Sequence, residues 1–337
     1  MLASGGKSLS AFVSAEKLKV YFQLRKLFRT IGTVKAVDDV SLSIKRGETL
    51  ALVGESGCGK TTLGKALLAA IKPTAGTIVF DGIKINDLNE HELKKLRRRM
   101  GAIFQDPYSS LNPMFPIYRI IEEPLVVHDI GTPEERRSMV MKALEEVKLS
   151  PPEDFARKYP HMLSGGQRQR VAIARAIIYN PDFLVADEPV TMLDASIRVE
   201  ILLLMREIQE KHGLTMLYIT HDIATAKYFS DRIAVMYAGK IVETGPTKEV
   251  LRDPQHPYTQ ALIEAIPDPD PSNRTRMRKV VAGEPPSLVN PPKGCRFHPR
   301  CPFFMQGKCD VLEPPMYRVG VERFSACFLH EEKVTIK

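Results

Sequence analysis

The stretch Gly54-Glu55-Ser56-Gly57-Cys58-Gly59-Lys60-Thr61-Thr62 decides how this chain folds. It satisfies G-x-x-x-x-G-K-[ST], and it lies directly between the apolar run Thr49 to Gly54 and the apolar segment Thr62 to Ile71, which Pro73 ends. That context reads as strand, loop, helix. Glycines allow successive backbone N–H groups to converge on an anion at a helix N-terminus, where the peptide dipoles add positive potential. In such a loop Lys60 reaches the β- and γ-phosphates of a nucleotide, the Thr61 hydroxyl is placed to ligate Mg²⁺, and Gly54, Ser56, Gly57, Cys58, Gly59 and Thr62 complete the cradle. Cys58 reads as a small residue tolerated in the turn, not as a redox switch.

Working outward, short strands are predicted at Thr77 to Phe80, Gly101 to Gln105, Phe183 to Ala186 and Thr215 to Thr220, with a hairpin from Arg232 to Tyr237 and Lys240 to Glu243. Helices are predicted at Ala195 to His212, with an apolar stripe of Ile197, Ile201, Leu204, Met205 and Ile208, and at Asp222 to Phe229. Alternating strands and helices indicate an α/β layered domain with a largely parallel sheet. Asp106 to Tyr159 is helical and turn-rich, and Val34 to Lys45 alternates like an antiparallel edge. From Pro267 onward there are 11 Pro in 71 residues, beginning with the run Pro267 to Pro271, which marks a linker and a loop-rich appendage expected to need an external staple for order.

The bulk composition narrows the function classes. The chain has 337 residues, 44% hydrophobic and 26% charged, enough for about two domains and a large core. Its formal charge of +8 leans modestly towards anionic partners. Apolar runs such as Val171 to Tyr179 are far short of the roughly 20 residues of a spanning helix. The first 30 residues lack a secretory pattern, so synthesis for the cytoplasm is expected. Aromatic residues are mostly isolated and form no stacking platform, so no nucleic-acid partner is expected.

Two acids follow the Phe183 strand: Asp187 suits a Mg²⁺ contact through water, and Glu188 suits a general base for attacking water. His221 ends the Thr215 strand as a candidate γ-phosphate contact, and Gln105, just past another strand, is a candidate for Mg²⁺ or the lytic water.

Leu163-Ser164-Gly165-Gly166-Gln167, followed by Arg168-Gln169-Arg170 and the helical run to Tyr179, resembles the signature motif of the ATP-binding-cassette (ABC) ATPases. The resemblance covers about residues 10 to 330 and implies a P-loop NTPase ABC nucleotide-binding domain, α/β in class. A helical subdomain, an antiparallel edge sheet and a Pro/Cys-rich C-terminal extension would complete it. The implied boundaries are 10–250 for the ATPase domain, with the helical subdomain about 106–175, and 251–337 for the extension. By the same resemblance Gln105 matches the Q-loop, Asp194 the D-loop aspartate, His221 the switch histidine, and Tyr21 or Phe22 the ring that stacks on adenine. Ser164, Gly165, Gly166 and Gln167 would form a second anion nest closing over ATP held by a partner subunit. Hydrolysis would then take place in a head-to-tail dimer, with Glu188 activating water.

Phe104-Gln105-Asp106-Pro107 to Pro113, Asp187-Glu188-Pro189-Val190, Arg232 to Tyr237 and the tail Gly294 to Pro302 are similar to the ATPase subunits of dipeptide and oligopeptide importers, a subgroup that also serves nickel and oligosaccharide systems. The resemblance implies an ATP-hydrolysing motor on the cytoplasmic side of the cell membrane, peripheral to it. Its partners would be a second ABC ATPase subunit, related or identical, two transmembrane permease subunits and, indirectly, an extracytoplasmic solute-binding protein. The helical segment beginning near Pro107 would dock on the permeases. Met192 stands in Thr191-Met192-Leu193-Asp194 where the family more often has a small residue.

Four of the five cysteines, Cys295, Cys301, Cys309 and Cys327, lie in the last 43 residues with spacing C-x5-C-x7-C-x17-C. Thiolates so grouped hold a 4Fe-4S cluster or zinc, or stay free; the subgroup's tail implies the 4Fe-4S cluster, with His298 as a further ligand candidate. Competing readings are a soluble ABC ATPase of translation or DNA repair, and a non-hydrolysing nucleotide-binding regulatory subunit. One signature without a long insertion argues against the first, and retention of Lys60, Asp187, Glu188 and His221 against the second.

Overall fold

The structure, a computed structural model, describes residues 11–26, 29–106, 110–265 and 283–334. The start of the expected docking segment, 107–109, and the proline run 267–271 lie outside the described residues. Strands and helices run β1 (Val13–Lys26), β2 (Arg29–Ile44), β3 (Thr49–Val53), α1 (Lys60–Leu67), β4 (Ala75–Phe80), β5 (Ile83–Lys84), α2 (Glu90–Arg97) and β6 (Met100–Ile103). Then come α3 (Ile117–Val127), α4 (Pro133–Glu146), α5 (Pro152–Arg157), α6 (Gly165–Ile177), β7 (Phe183–Asp187), α7 (Ala195–His212) and β8 (Thr215–Thr220). The order ends with α8 (Ile223–Phe229), β9 (Arg232–Tyr237), β10 (Lys240–Pro246), α9 (Thr247–Arg252), α10 (Pro257–Glu264), β11 (Tyr317–Gly320) and β12 (Arg323–Ser325).

The chain divides into two compact units. The first contains residues 1–12, 44–48 and 87–218. In it β6 and β7 pair in parallel, from Met100↔Phe183 to Ile103↔Ala186, with β8 beside β7. Helices α3 to α6 pack on one another through Ile117, Ile121, Leu125, Val140, Leu144 and Val171, all buried. Helix starts are chemically marked: Asn89, Thr132 and Ser164 each cap a helix reciprocally with the third residue on, Glu92, Glu135 and Gln167. Of the stripe expected on α7, Ile201, Leu204, Met205 and Ile208 are buried and Ile197, in the first turn, is half-buried.

The second unit contains residues 13–43, 49–86 and 219–337. It holds a four-stranded antiparallel sheet of order β2-β1-β4-β5, and strands in the order β11-β12-β10-β9-β3, of which β3 and β9 are parallel. The alternation from Val34 foreshadowed only part of the edge sheet. Strand β1 escaped the sequence pattern because Lys17 (φ 46°) interrupts it with a bulge where the register slips between Glu16 and Lys19; in β2, Asp39 also takes a left-handed φ of 58°. Helix α1 begins two residues earlier than expected and stops at Leu67, since Ala69 turns left-handed at φ 54°. In the described C-terminal residues β12 pairs antiparallel with β10, Glu243 opposite Ser325 and Thr244 opposite Phe324. Among the described residues no helix is long and apolar enough to cross a membrane.

Two stability predictions follow from this packing. Leu144→Ala empties a fully buried site in the α3 to α6 bundle and is expected to cost about 2–5 kcal/mol in urea unfolding. His256 caps α10, its Nδ1 accepting from Tyr258 N–H, and complete burial depresses its pKa to about 3. A histidine held neutral when folded takes up a proton on unfolding below about pH 6.5, so its contribution is present above that pH and is lost as pH falls. Between pH 7 and 5.5 the native protein should therefore lose about 1 kcal/mol more than His256→Asn, measured by unfolding at both pH values.

Candidate functional site

In the second unit β3 runs into the glycine loop and the loop into α1. Gly54, Gly57 and Gly59 take φ values of 157°, 76° and 108°. A Cβ on Gly54 would sit 2.1 Å from the Met236 carbonyl oxygen, and one on Gly59 would sit 2.0 Å from that of Ala36. The turn is closed to any side chain at both positions. Helix α1 begins at Lys60 with no side-chain cap, as an anion-binding helix start requires. Lys60 is only 5% exposed, and its Nζ donates to the carbonyls of Gly54 (2.8 Å) and Glu55 (2.9 Å), so its charge is held inside the loop. Ser56, Gly57 and Thr61 are exposed, and Thr62 is half-buried. Cys58 is buried, which pushes its thiol pKa up despite Lys60 nearby, as suits a packed side chain and not a reactive thiolate.

Of the two candidate adenine rings, Tyr21 is tied down. Its hydroxyl donates to Asp38, its backbone N–H donates to Thr74 Oγ1 (2.9 Å), and Lys35 Nζ lies 5.9 Å from the ring centre. Phe22, next on β1, is 41% exposed. His221 follows β8 on the surface, and Asp222 beside it caps α8 by accepting from Ala224 N–H.

In the first unit Asp187 ends β7 and is buried, while Glu188 takes a left-handed φ of 47° ahead of Pro189. A non-glycine residue in this conformation, at a strand end, is the kind of strained position found in active sites. The structure brings Gln105 to it: Gln105 Nε2 donates to Glu188 Oε2 at 3.0 Å, and Thr191 Oγ1 donates to the same oxygen at 3.2 Å. Ser164 Oγ accepts from Gln167 N–H while Gln167 Oε1 accepts from Ser164 N–H, so the serine and glutamine of the signature loop orient one another at the start of α6. Gly165 and Gly166 are half-buried. Asp194 is exposed at the start of α7, and its side chain makes no cap bond to that helix.

Sequence reading missed a second layer around the glycine loop. Glu55 N–H donates to Tyr258 Oη (2.9 Å), and the Glu55 carboxylate receives three contacts from the Arg300 guanidinium at 3.0–3.2 Å. Arg296 donates to Asp38 and to the Ala238 carbonyl. These partners lie about 200 to 260 residues away from one another in the chain except for Arg296 and Ala238, and no local pattern announces them.

The expectation of a 4Fe-4S cluster or zinc at Cys295, Cys301, Cys309 and Cys327 is corrected. Among the described residues no group of three or more His, Cys, Asp or Glu side chains is arranged to hold a metal ion, and all four cysteines are free. Burial pushes Cys295 to about 11 and Cys327 to about 12 and raises Cys301. His298 is likewise engaged elsewhere, its Nδ1 2.9 Å from the Cys295 carbonyl oxygen.

Taken with the helix and strand arrangement, these features define a P-loop nucleotide-binding domain of the ABC type. The ABC transporter family matches residues 37–191, and the family described as "Oligopeptide/dipeptide transporter, C-terminal region" matches residues 242–309. A putative peptide import ATP-binding protein of Brucella ovis is 46% identical over 94% of this chain and 96% of its own length. The oligopeptide transport ATP-binding protein AppF of Bacillus subtilis is 45% identical over 93% of this chain and 95% of its own. Among solved structures, the ATP-binding cassette MJ0796, in a dimeric post-hydrolysis state with ADP and Pi, superimposes with a TM-score of 0.62 at 34% identity, covering 70% of this chain and 98% of that one. The chain belongs to the ATP-binding subunits of ABC transporters, in their peptide and oligopeptide import subfamily.

The loop geometry makes a graded prediction. Gly57→Ala meets nothing within 4 Å and adds only left-handed strain of about 1–2 kcal/mol, whereas Gly59→Ala must displace the backbone at Ala36. Titration with a fluorescent ATP analogue should show Gly59→Ala losing affinity far more than Gly57→Ala; equal losses would mean that the close approach does not shape the loop.

Proposed function

We propose that this chain is the ATP-hydrolysing motor of a membrane importer for dipeptides or oligopeptides, working on the cytoplasmic face of the membrane. The observation that carries the hydrolytic part is the Gln105–Glu188–Thr191 arrangement on a strained backbone at the end of β7. Residues 10–250 serve as the ATPase domain, with a helical subdomain over about 106–175, and 251–337 as an extension.

The residues present fit Mg²⁺ and ATP: a Cβ-free cradle, a buried lysine and an uncapped helix start. Gly54, Ser56, Gly57, Cys58, Gly59, Thr61 and Thr62 hold the phosphates, with Lys60 supplying charge and Thr61, Gln105 and Asp187 serving Mg²⁺. When bound, the nucleotide supplies the phosphoanhydride bond whose cleavage is coupled to transport. Tyr21, fixed through Asp38 and Thr74, is the ring assigned to adenine. Glu188 takes a proton from the attacking water, Gln105 and Thr191 hold its carboxylate in place, and His221 supports the γ-phosphate. Ser164, Gly165, Gly166, Gln167 and Asp194 serve the partner's nucleotide across a head-to-tail pair, an arrangement supported by the dimeric state of MJ0796. The second ATPase is a related or identical chain, and the pair drives two permease subunits fed by a solute-binding protein.

Steady-state ATPase activity of the chain reconstituted with its permease and ATPase partners tests this. Glu188→Gln is expected to lower kcat by about 10²–10⁴-fold while ATP binding persists, as loss of a general base requires. Full activity in Glu188→Gln, or tight ATP binding without hydrolysis in every native assembly, would overturn the reading.

A further inference from the structure

A phosphate loop that carries an acid has an electrostatic problem. Glu55 stands second in the loop, between Gly54 and Ser56, where an uncompensated carboxylate repels a bound polyphosphate. The compensation comes from the far end of the chain. Arg300 Nη1 lies 3.2 and 3.0 Å from Glu55 Oε1 and Oε2, Nη2 lies 3.2 Å from Oε1, and Nη1 also donates to Tyr237 Oη at 3.3 Å. The Arg300 side chain is 9% exposed and that of Glu55 25%, so water screens this pair weakly. Burial works against the Arg300 charge, yet its bonds to Glu55 and Tyr237 raise its pKa and hold it cationic.

Four residues earlier, Arg296 reaches the other end of the cradle. It donates to Asp38, which accepts from the Tyr21 hydroxyl, and to the carbonyl of Ala238. The adjoining Gly239 donates to the Cys58 carbonyl at 2.8 Å and accepts from Asp38 N–H at 2.9 Å, closing a circuit through the glycine loop. Phe297, fully buried between the two arginines, fixes the turn: its ring stands edge-on to Tyr237 (5.2 Å, 88°) and lies 5.4 Å from Tyr258, the residue that receives Glu55 N–H. The turn 295–301 therefore sends one guanidinium to each end of a nucleotide's expected span.

We propose that Arg300 and Arg296 are positioning residues for nucleotide binding, Arg300 by neutralising and aiming Glu55 in the phosphate loop and Arg296 by holding Asp38 and Tyr21. The C-terminal extension is then a working part of the nucleotide site of its own chain. The inference rests on residues 54–62 being the nucleotide loop.

The test is a double-mutant cycle on the full chain, read by equilibrium binding of Mg-ATP, by KM and kcat in the assembled transporter, and by melting temperature. Arg300→Gln should raise Kd and KM for ATP about tenfold with kcat changed less than twofold, since a charge-assisted pair is lost while the hydrolytic residues are untouched. Glu55→Gln placed in that background should restore most of the affinity, because the unpaired carboxylate is what repels the phosphates; a merely structural arginine would not be rescued this way. Arg300→Lys keeps charge without the planar fork and should lose about threefold, which keeps the question open to measurement if Arg300→Gln fails to fold. Arg296→Gln should raise Kd for Mg-ATP several-fold, because the ring it holds through Asp38 is released. Unchanged affinity in Arg300→Gln or Arg300→Lys, or no relief from Glu55→Gln, overturns the inference alone. A native chain that binds no Mg-ATP overturns the reading of the loop itself.

Discussion

Everything in the nucleotide-binding half hangs on the absence of two Cβ atoms. Gly54 and Gly59 let the loop pass within 2.1 and 2.0 Å, measured from where a Cβ would stand, of the carbonyls of Met236 and Ala36. That approach turns the chain sharply enough for α1 to start at Lys60 with its N–H groups uncapped and for the Lys60 ammonium to fold back onto the carbonyls of Gly54 and Glu55. A helix start is a favourable place for phosphate only when its own side chains leave it open, and here they do.

The same crowding explains why distant segments are tied to the loop. A buried charge is tolerated when it is paired and hydrogen-bonded, and removing one partner is then far more damaging than the pair is helpful. Asp38 shows this balance: burial opposes its charge, yet Tyr21, Arg296 and nearby lysines keep its pKa below the usual carboxylate range. Glu55 and Arg300 repeat the pattern at the glycine loop, with Tyr237, Tyr258 and Phe297 packed beside them. The described C-terminal residues are thus anchored by electrostatics and aromatic packing around the turn 295–301 and by the β10–β12 ladder.

The first unit solves a different problem, the placement of a base at a strand end. Glu188 departs from the strand with a left-handed backbone ahead of Pro189, and the hydrogen bonds from Gln105 and Thr191 fall on one carboxylate oxygen. Both donors converge on one carboxylate oxygen, which restrains the carboxylate's orientation.

Where an element depends on contiguous residues, the sequence alone was enough to place it. The glycine loop, Asp187-Glu188 after an apolar strand and the α7 stripe are each local, because a backbone turn, a strand end and a helix face are set by residues within a few positions of one another. Strand β1 was not legible because its bulge breaks the period of two on which strand reading relies. The cysteines misled for the converse reason: grouping along the chain does not by itself set thiols in an arrangement that holds a metal ion, and among the described residues no such arrangement is present. Only the tertiary structure could show Glu55 meeting Arg300 across 245 residues and Asp38 meeting Arg296 across 258, because an ion pair depends on where the packed sheets and turns bring two side chains and leaves no trace in the residues around either.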